Sequence, residues 1–457
     1  MPARPRLIAA SIALAALIAP PTAAAQFGSS GLGDEYFPLA GNGGYDVGHY
    51  ILRLDYDPAT DVLDGHATVR ATATEALSRF NLDFRGFAIG ALSVDDAPAT
   101  FARDGQELII TPASPLAAGQ EFEVNVKYSG VPDVVVDPDN SIEGWIPTDD
   151  GAFVVNEPQG SPGWYPANDN PRDKATFDFR VTVPRGKVAL ANGVLKSSKS
   201  VGTRTTWRWN QDEPMAPYLA TATNGDFETN FTTTEDGLPL YLAVDRPERT
   251  GANFTRIPQA IELFTETYGP YPFSAAGGIA DNAGFVGYAL ETQTKANYAN
   301  EPGSGTVVHE VAHEWFGNAV TPVVWRDIWL NEGFARWSEW YFTEATGGLS
   351  AATTFRNNYN SRSTAYWLQP PTDLGGPADL FDDPAYRRGA MTLQALRETI
   401  GEADFFTLLK TWYAENKYGN VTTADFMATA ERVSGDELDA FFGAWLFGTT
   451  RPPLPGA

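Results

Sequence analysis

The run HEVAHEWFGNAVTPVVWRDIWLNEGFARWSEW, His309 to Trp340, holds two histidines four residues apart, with a glutamate directly after the first. On a helix four residues turn about 400°, so the two imidazoles lie about 40° apart on one face and can share a metal. Glu310 sits beside them, within reach of a water on that metal. This H-E-x-x-H pattern provides what a zinc hydrolase needs: two neutral nitrogen ligands and a carboxylate that accepts a proton. The chain has only four histidines, and His309 and His313 are two of them. His49 and His66 lie in strand-rich sequence without ligand spacing.

A catalytic zinc wants a third protein ligand and leaves a fourth position to water. Eighteen residues after His313, Asn331-Glu332-Gly333-Phe334-Ala335 opens a further helical pattern, and Glu332 is the expected third ligand. Asn331 either accepts the second N–H of a zinc-bound histidine or caps the helix. Apolar residues three and four apart over Val307 to Trp315 and Asn331 to Glu344 predict helices there. The same spacing recurs over Ile257 to Tyr268, Arg388 to Ile400 and Phe405 to Glu415. Thr423-Ala424-Asp425 reads as one more helix start, and the helical pattern runs out near Gly448. Trp315, Trp325, Trp329, Trp337 and Trp340 read as helix-packing core rather than a substrate platform.

Upstream the texture differs. Tyr50, Leu52, Leu54 and Tyr56 alternate with Ile51, Arg53 and Asp55; Phe122, Val124, Val126 and Tyr128 alternate with polar neighbours, as do Phe177, Phe179, Val181 and Val183. A period of two predicts half-buried strands in antiparallel sheets, continuing to about Glu228, with a further strand over Leu238 to Val244. Residues 26–44, rich in Gly and Ser without a period, read as a flexible leader. Before them, Arg4 and Arg6 precede an apolar run from Leu7 to Ala19, and Ala23-Ala24-Ala25 supplies the small residues of a signal-peptide cleavage site. Secretion, extracellular or periplasmic, is expected, with no membrane insertion of the mature chain.

Composition narrows the partners. Of 457 residues, 43% are hydrophobic and 12% aromatic, as in a folded globular chain. With 57 acidic against 32 basic residues and a formal charge of -25, nucleic acid is a poor partner. There is no cysteine, so packing and a metal must hold a secreted chain that has no disulfides. The Asp133, Asp137, Asp139 run lacks the glycine of a calcium loop. Asn230, Asn253 and Asn420 begin N-x-T sequons.

The zinc-motif run resembles the core of the gluzincin aminopeptidases of peptidase family M1, the family of aminopeptidase N and leukotriene hydrolase. Tyr45 to Pro58, YDVGHYILRLDYDP, is similar to the opening strand of that family's β saddle, and Tyr386-Arg387-Arg388-Gly389-Ala390 resembles its Y-x-K-G-A stretch. The resemblance covers about residues 45 to 450. It implies a zinc ion held by His309, His313 and Glu332, with Glu310 as general base and Tyr386 stabilising the oxyanion. The family's G-A-M-E-N motif is matched loosely by Tyr288-Ala289-Leu290-Glu291-Thr292, which puts the glutamate that binds a free α-amino group on Glu291 and a pocket wall on Ala289. Tyr288 stands for the motif's first Gly and Thr292 for its Asn. Counting back from Tyr165-Pro166-Ala167-Asn168-Asp169-Asn170-Pro171, the family's second amine-binding position falls on Glu157.

The expected fold is α+β and multidomain: signal peptide 1–25, leader 26–44, antiparallel β saddle 45–228, a thermolysin-like, mainly α-helical catalytic domain 229–450 and a tail 451–457. Many family members continue into a large helical domain that covers the active site; this sequence ends at Ala457, so two domains and a more open cleft are expected. The implied function is a secreted zinc aminopeptidase acting on peptides with a free N-terminus. A zinc endopeptidase of thermolysin type and a non-catalytic secreted peptide-binding protein are the alternatives.

Overall fold

The computed structural model describes residues 1, 26–246 and 249–456; apart from Met1, the expected signal peptide lies outside the described residues. The N-terminal half is built on an eight-stranded sheet. Its strand Ala175–Pro184 shows how the period of two works: Phe177, Phe179, Val181 and Val183 are buried and the residues between them half-buried. Inside the sheet, Tyr50 stacks on Phe177 at 4.7 Å between ring centroids. One expectation is corrected here. Tyr45–Asp57 runs antiparallel to Val62–Ala73 but parallel to Ala175–Pro184, with Tyr50 opposite Phe177, so the sheet is mixed. Alternation reports which face a side chain takes, not the direction of the neighbouring strand.

The stretch 26–44 is also corrected: it is laid down on the fold, not loose. Gln26–Phe27 pairs with Leu77–Asp83, and Phe37 and Ala40 are buried. Asp34 accepts the amides of Tyr36 and Phe37 through Oδ1, and that of Trp325 through Oδ2 at 2.8 Å. The segment thereby ties the β domain to the helical one. Lys174 ties them again, its Nζ donating to the carbonyls of Asn318, Ala319 and Gly419.

The C-terminal half opens with a five-stranded sheet in the order Phe227–Thr233, Pro239–Asp245, Ala276–Ala280, Ala296–Tyr298, Ala289–Leu290. The helices are α1 (Arg256–Tyr268), α2 (Ser304–His313), α3 (Trp329–Ala345), α4 (Ala351–Ser361), α5 (Gly389–Ile400), α6 (Glu402–Asn416) and α7 (Thr423–Ser434), and all of these but α4 lie where the sequence predicts them. The α7 start is a capping box, Thr422 and Asp425 each bonding the other's backbone amide. Trp315, Trp329, Trp337 and Trp340 are buried among the helices, several with their indole N–H satisfied, as Trp329 is by Thr423 and Trp337 by Gln394, whereas Trp325 is a correction: it packs against Phe37 and Tyr218 in the core of the β domain. Among the described residues no helix is long and apolar enough to cross a membrane.

Helices α3 and α5 cross at Gly333 and Gly389. A Cβ on Gly389 would stand 2.8 Å from the Gly333 Cα, so two backbones meet where no side chain fits. This contact brings the turn Pro384–Arg388, which opens α5 and carries Tyr386, against the start of α3, which carries Glu332.

Candidate active site

Helix α2 presents His309 and His313 toward α3, with ring centroids 4.7 Å apart. Glu332, in the first turn of α3, places Oε2 3.0 Å from His309 Nε2 and 3.6 Å from His313 Nε2. One ligand atom from each residue lies within 4.8 Å of the others, and all three residues are buried. The outer ring nitrogens are occupied: His309 Nδ1 by Glu339 Oε1 at 2.7 Å, His313 Nδ1 by the Phe316 carbonyl at 3.0 Å. Each ring is thus held with Nδ1 as donor, leaving the lone pair of Nε2 to bind a metal.

The charges point the same way. Burial lowers the pKa of His309, but hydrogen bonds and charge from Glu332 and Glu339 outweigh it and raise the value to about 10. His313 rises to about 9, with burial opposed by the charges of Glu291 and Glu332. Burial favours the neutral form of Glu332, yet His313 and His309 hold it at about 2. Two cations on an ionised carboxylate is what remains when a divalent ion is replaced by protons. The donor set N, N, O suits zinc.

Glu310 projects beside this triad, its carboxylate within 4.8 Å of ligand atoms of His313 and Glu291. Burial pushes its pKa up to about 7, against the charges of His309 and His313. Glu291 and Glu157 share the same cavity, of 450 Å³, with Ala289 and Tyr386 in its wall. Glu157 is 7% exposed and Glu291 3%, and Oε1 of each has no hydrogen-bond partner among the described residues. Burial first, and then its neighbour Glu291, raise the pKa of Glu157 well above the carboxylate range. These two carboxylates arrive from different domains, and Asn318 fixes the backbone of one by donating to the Glu291 carbonyl at 2.8 Å.

Tyr386 lies over His309, ring centroids 6.1 Å apart. Its turn is anchored by the buried Arg388, which donates to the carbonyls of Trp367, Gln369, Ala444, Trp445 and Gly448. Five donors in a fixed fork suit five carbonyls, a task beyond the lysine of the family's stretch. Asn331 is a correction. It lies inside α3 rather than at its cap, and neither amide atom bonds an imidazole. The orienting role goes to Glu339, itself held by Arg336 at 2.8 Å. Glu339 follows Glu332 by two helical turns, a spacing that places both on one face and that the sequence reading did not use. His49 and His66 bond Thr176 and Asn125 in the β domain, away from this cavity.

Residues 47–219 match the family model described as Peptidase M1 N-terminal domain, and residues 288–445 the one described as Peptidase family M1 domain. Aminopeptidase M1 of Arabidopsis thaliana is 28% identical over 64% of this chain and 36% of its own length. Aminopeptidase N of Streptomyces lividans is 27% identical over 66% of this chain and 38% of its own. The match thus spans well under half of these two relatives. Among solved structures, the M1 zinc metallopeptidase from Deinococcus radiodurans superposes with a TM-score of 0.86 at 28% identity, covering 93% of this chain and 98% of that one. A mutant of the Deinococcus enzyme bound to a Tyr-Ser-Ala substrate gives 0.85, also at 28% identity, over 93% and 99%.

Proposed function

The chain belongs to peptidase family M1, and from that premise we propose that it is a zinc-dependent aminopeptidase, exported by its N-terminal signal peptide, that removes single residues from peptides with a free N-terminus. The observation that carries this reading is the pair Glu157 and Glu291, each buried with an orphaned oxygen, beside the His309, His313 and Glu332 ligand set. Buried carboxylates without a cation are costly, so the pair is arranged for a cation the substrate brings. An α-ammonium fits, because it donates several charge-assisted hydrogen bonds at once.

A zinc ion held by His309, His313 and Glu332 would supply a Lewis acid for the scissile carbonyl and acidify a neighbouring water. Glu310, poised near neutrality, takes the proton of the attacking water and delivers it to the leaving amine. Tyr386, its phenol kept protonated by burial and by the surrounding carboxylates, donates to the oxygen on which negative charge develops. Glu157 and Glu291 hold the ammonium, so that only the first peptide bond reaches Glu310. The export reading rests on Arg4, Arg6, the apolar run to Ala19 and the alanines before Gln26.

The test is hydrolysis of aminoacyl-4-nitroanilides by the wild type and by Glu310→Ala, with zinc measured in both. Activity confined to the wild type, with about one zinc in each protein, is expected. Cleavage of Nα-acetylated peptides as fast as free ones would overturn the aminopeptidase reading in favour of an endopeptidase.

A further inference from the structure

A second group of oxygen donors lies at the seam between the two domains, outside the cleft. Asp150 belongs to the β-domain turn between the strands Ile142–Pro147 and Ala152–Val155. Asp245 ends the strand Pro239–Asp245, and Asp281 follows the strand Ala276–Ala280. Those two strands are parallel, with Val244 opposite Ala280, so Asp245 and Asp281 stand side by side on the next rung. One carboxylate oxygen from each of the three residues lies within 4.8 Å of the others.

The central member has an unspent oxygen. Asp281 is 1% exposed; its Oδ1 takes the Asn282 amide at 2.7 Å, and Oδ2 has no partner among the described residues. Burial, reinforced by the charges of Asp150 and Asp245, pushes its pKa up to about 8, against the opposing charge of Arg249. Two cations, Lys187 and Arg249, face the group. Lys187 stands 3.8 Å from Asp150 Oδ2 but 2.7 Å from Asp226. Arg249 directs Nε to the Asp281 carbonyl and Nη2 to the side chains of Asn282 and Asn300. Asp150 also accepts from Thr148 and from the Asp226 amide.

We propose that Asp150, Asp245 and Asp281 form an interdomain calcium site. Carboxylate-only ligands select hard cations over zinc, and a set drawn from one turn and two strand ends suits the irregular coordination of calcium better than the strict octahedron of magnesium. The ion would join two backbone segments that lead directly to Glu157 and to Glu291. That last consequence rests on the function proposed above, whereas the site itself does not.

The experiment uses the zinc-loaded full chain, freed of calcium by dialysis and with its zinc content verified. Calcium chloride should raise Tm saturably by about 4 °C or more, beyond sodium chloride at matched ionic strength and beyond magnesium. Titration calorimetry should find one calcium per chain. Asp281→Asn and Asp150→Asn should each lose the rise; if the buried Asp281→Asn does not fold, the more accessible Asp150→Asn carries the comparison. An equal rise in the variants, or none specific to calcium in the wild type, overturns the proposal. A wild type indifferent to calcium and less stable at pH 8 than Asp281→Asn would show that the three carboxylates hold a proton instead.

Discussion

Glu339 Oε1 lies 2.7 Å from His309 Nδ1, so this ring is oriented from the same helix that supplies Glu332 to its other nitrogen. Orienting contacts of this kind set ligand basicity as well as direction. Glu339→Gln, which keeps an acceptor but removes the charge, should weaken zinc binding by about 10- to 100-fold. Competition with a chromophoric chelator measures this. Affinity equal to the wild type would show that the contact does not tune the metal.

Zinc uptake should release protons. Metal-free, His309 and His313 titrate at about 10 and about 9, so both are charged at pH 7, while Glu332 at about 2 is already ionised. Binding must displace a proton from each histidine and none from Glu332, hence about two per metal at pH 7. Calorimetry in buffers of differing ionisation enthalpy counts them. A value near zero would mean that the histidines are neutral before the metal arrives.

Tyr386→Phe removes one hydroxyl without changing the ring that faces His309. If that hydroxyl meets the oxyanion only in the transition state, kcat should fall by about 10²- to 10³-fold with KM and zinc content little changed. Steady-state kinetics on one good nitroanilide decides this. A rise in KM at constant kcat would place the hydroxyl on the ground-state substrate.

Glu157→Gln and Glu291→Gln should each cut kcat/KM by about 10- to 100-fold on free-amine substrates, through loss of a charge-assisted contact. Both should also stabilise the free protein at alkaline pH. The folded pKa of each glutamate is raised above its unfolded value, so its favourable contribution is complete below about pH 4.5 and lost as pH rises through the folded pKa. Thermal melts at pH 5 and pH 8 should therefore show the variants gaining on the wild type as pH rises. A gap that does not change with pH would mean that the carboxylates are not destabilising as charges.

The histidine pair was legible because a helix repeats: His309 and His313 share a face by spacing alone, and Glu339 could have followed from Glu332 by the same periodicity, whereas Glu332 sits on another helix and was reached only as the acidic start of the next helical pattern. Glu157 and Glu291 were not readable in that way. They meet across a domain boundary, 134 positions apart in the sequence, and only the resemblance to a family put them together. The segment 26–44 was misread because its anchors are hydrogen bonds from distant backbone, such as the Trp325 amide on Asp34, which leave no apolar period behind. The catalytic sheet was seen only through Pro239–Asp245. Its neighbour Ala276–Ala280, AGGIA, is buried throughout and made of small residues, so it shows neither alternation nor bulk.

The meeting of Gly333 and Gly389 leaves no slack between the helix bearing Glu332 and the turn bearing Tyr386. The proposed metal ligand and the proposed oxyanion donor are therefore one mechanical unit, and drift at either helix is felt at both. Asp139, Ser141, Tyr288 and Phe381 line the same cavity from segments outside those two helices. Evolution, or a protein engineer, can resize the pocket there for a different first residue while the chemistry stays in register.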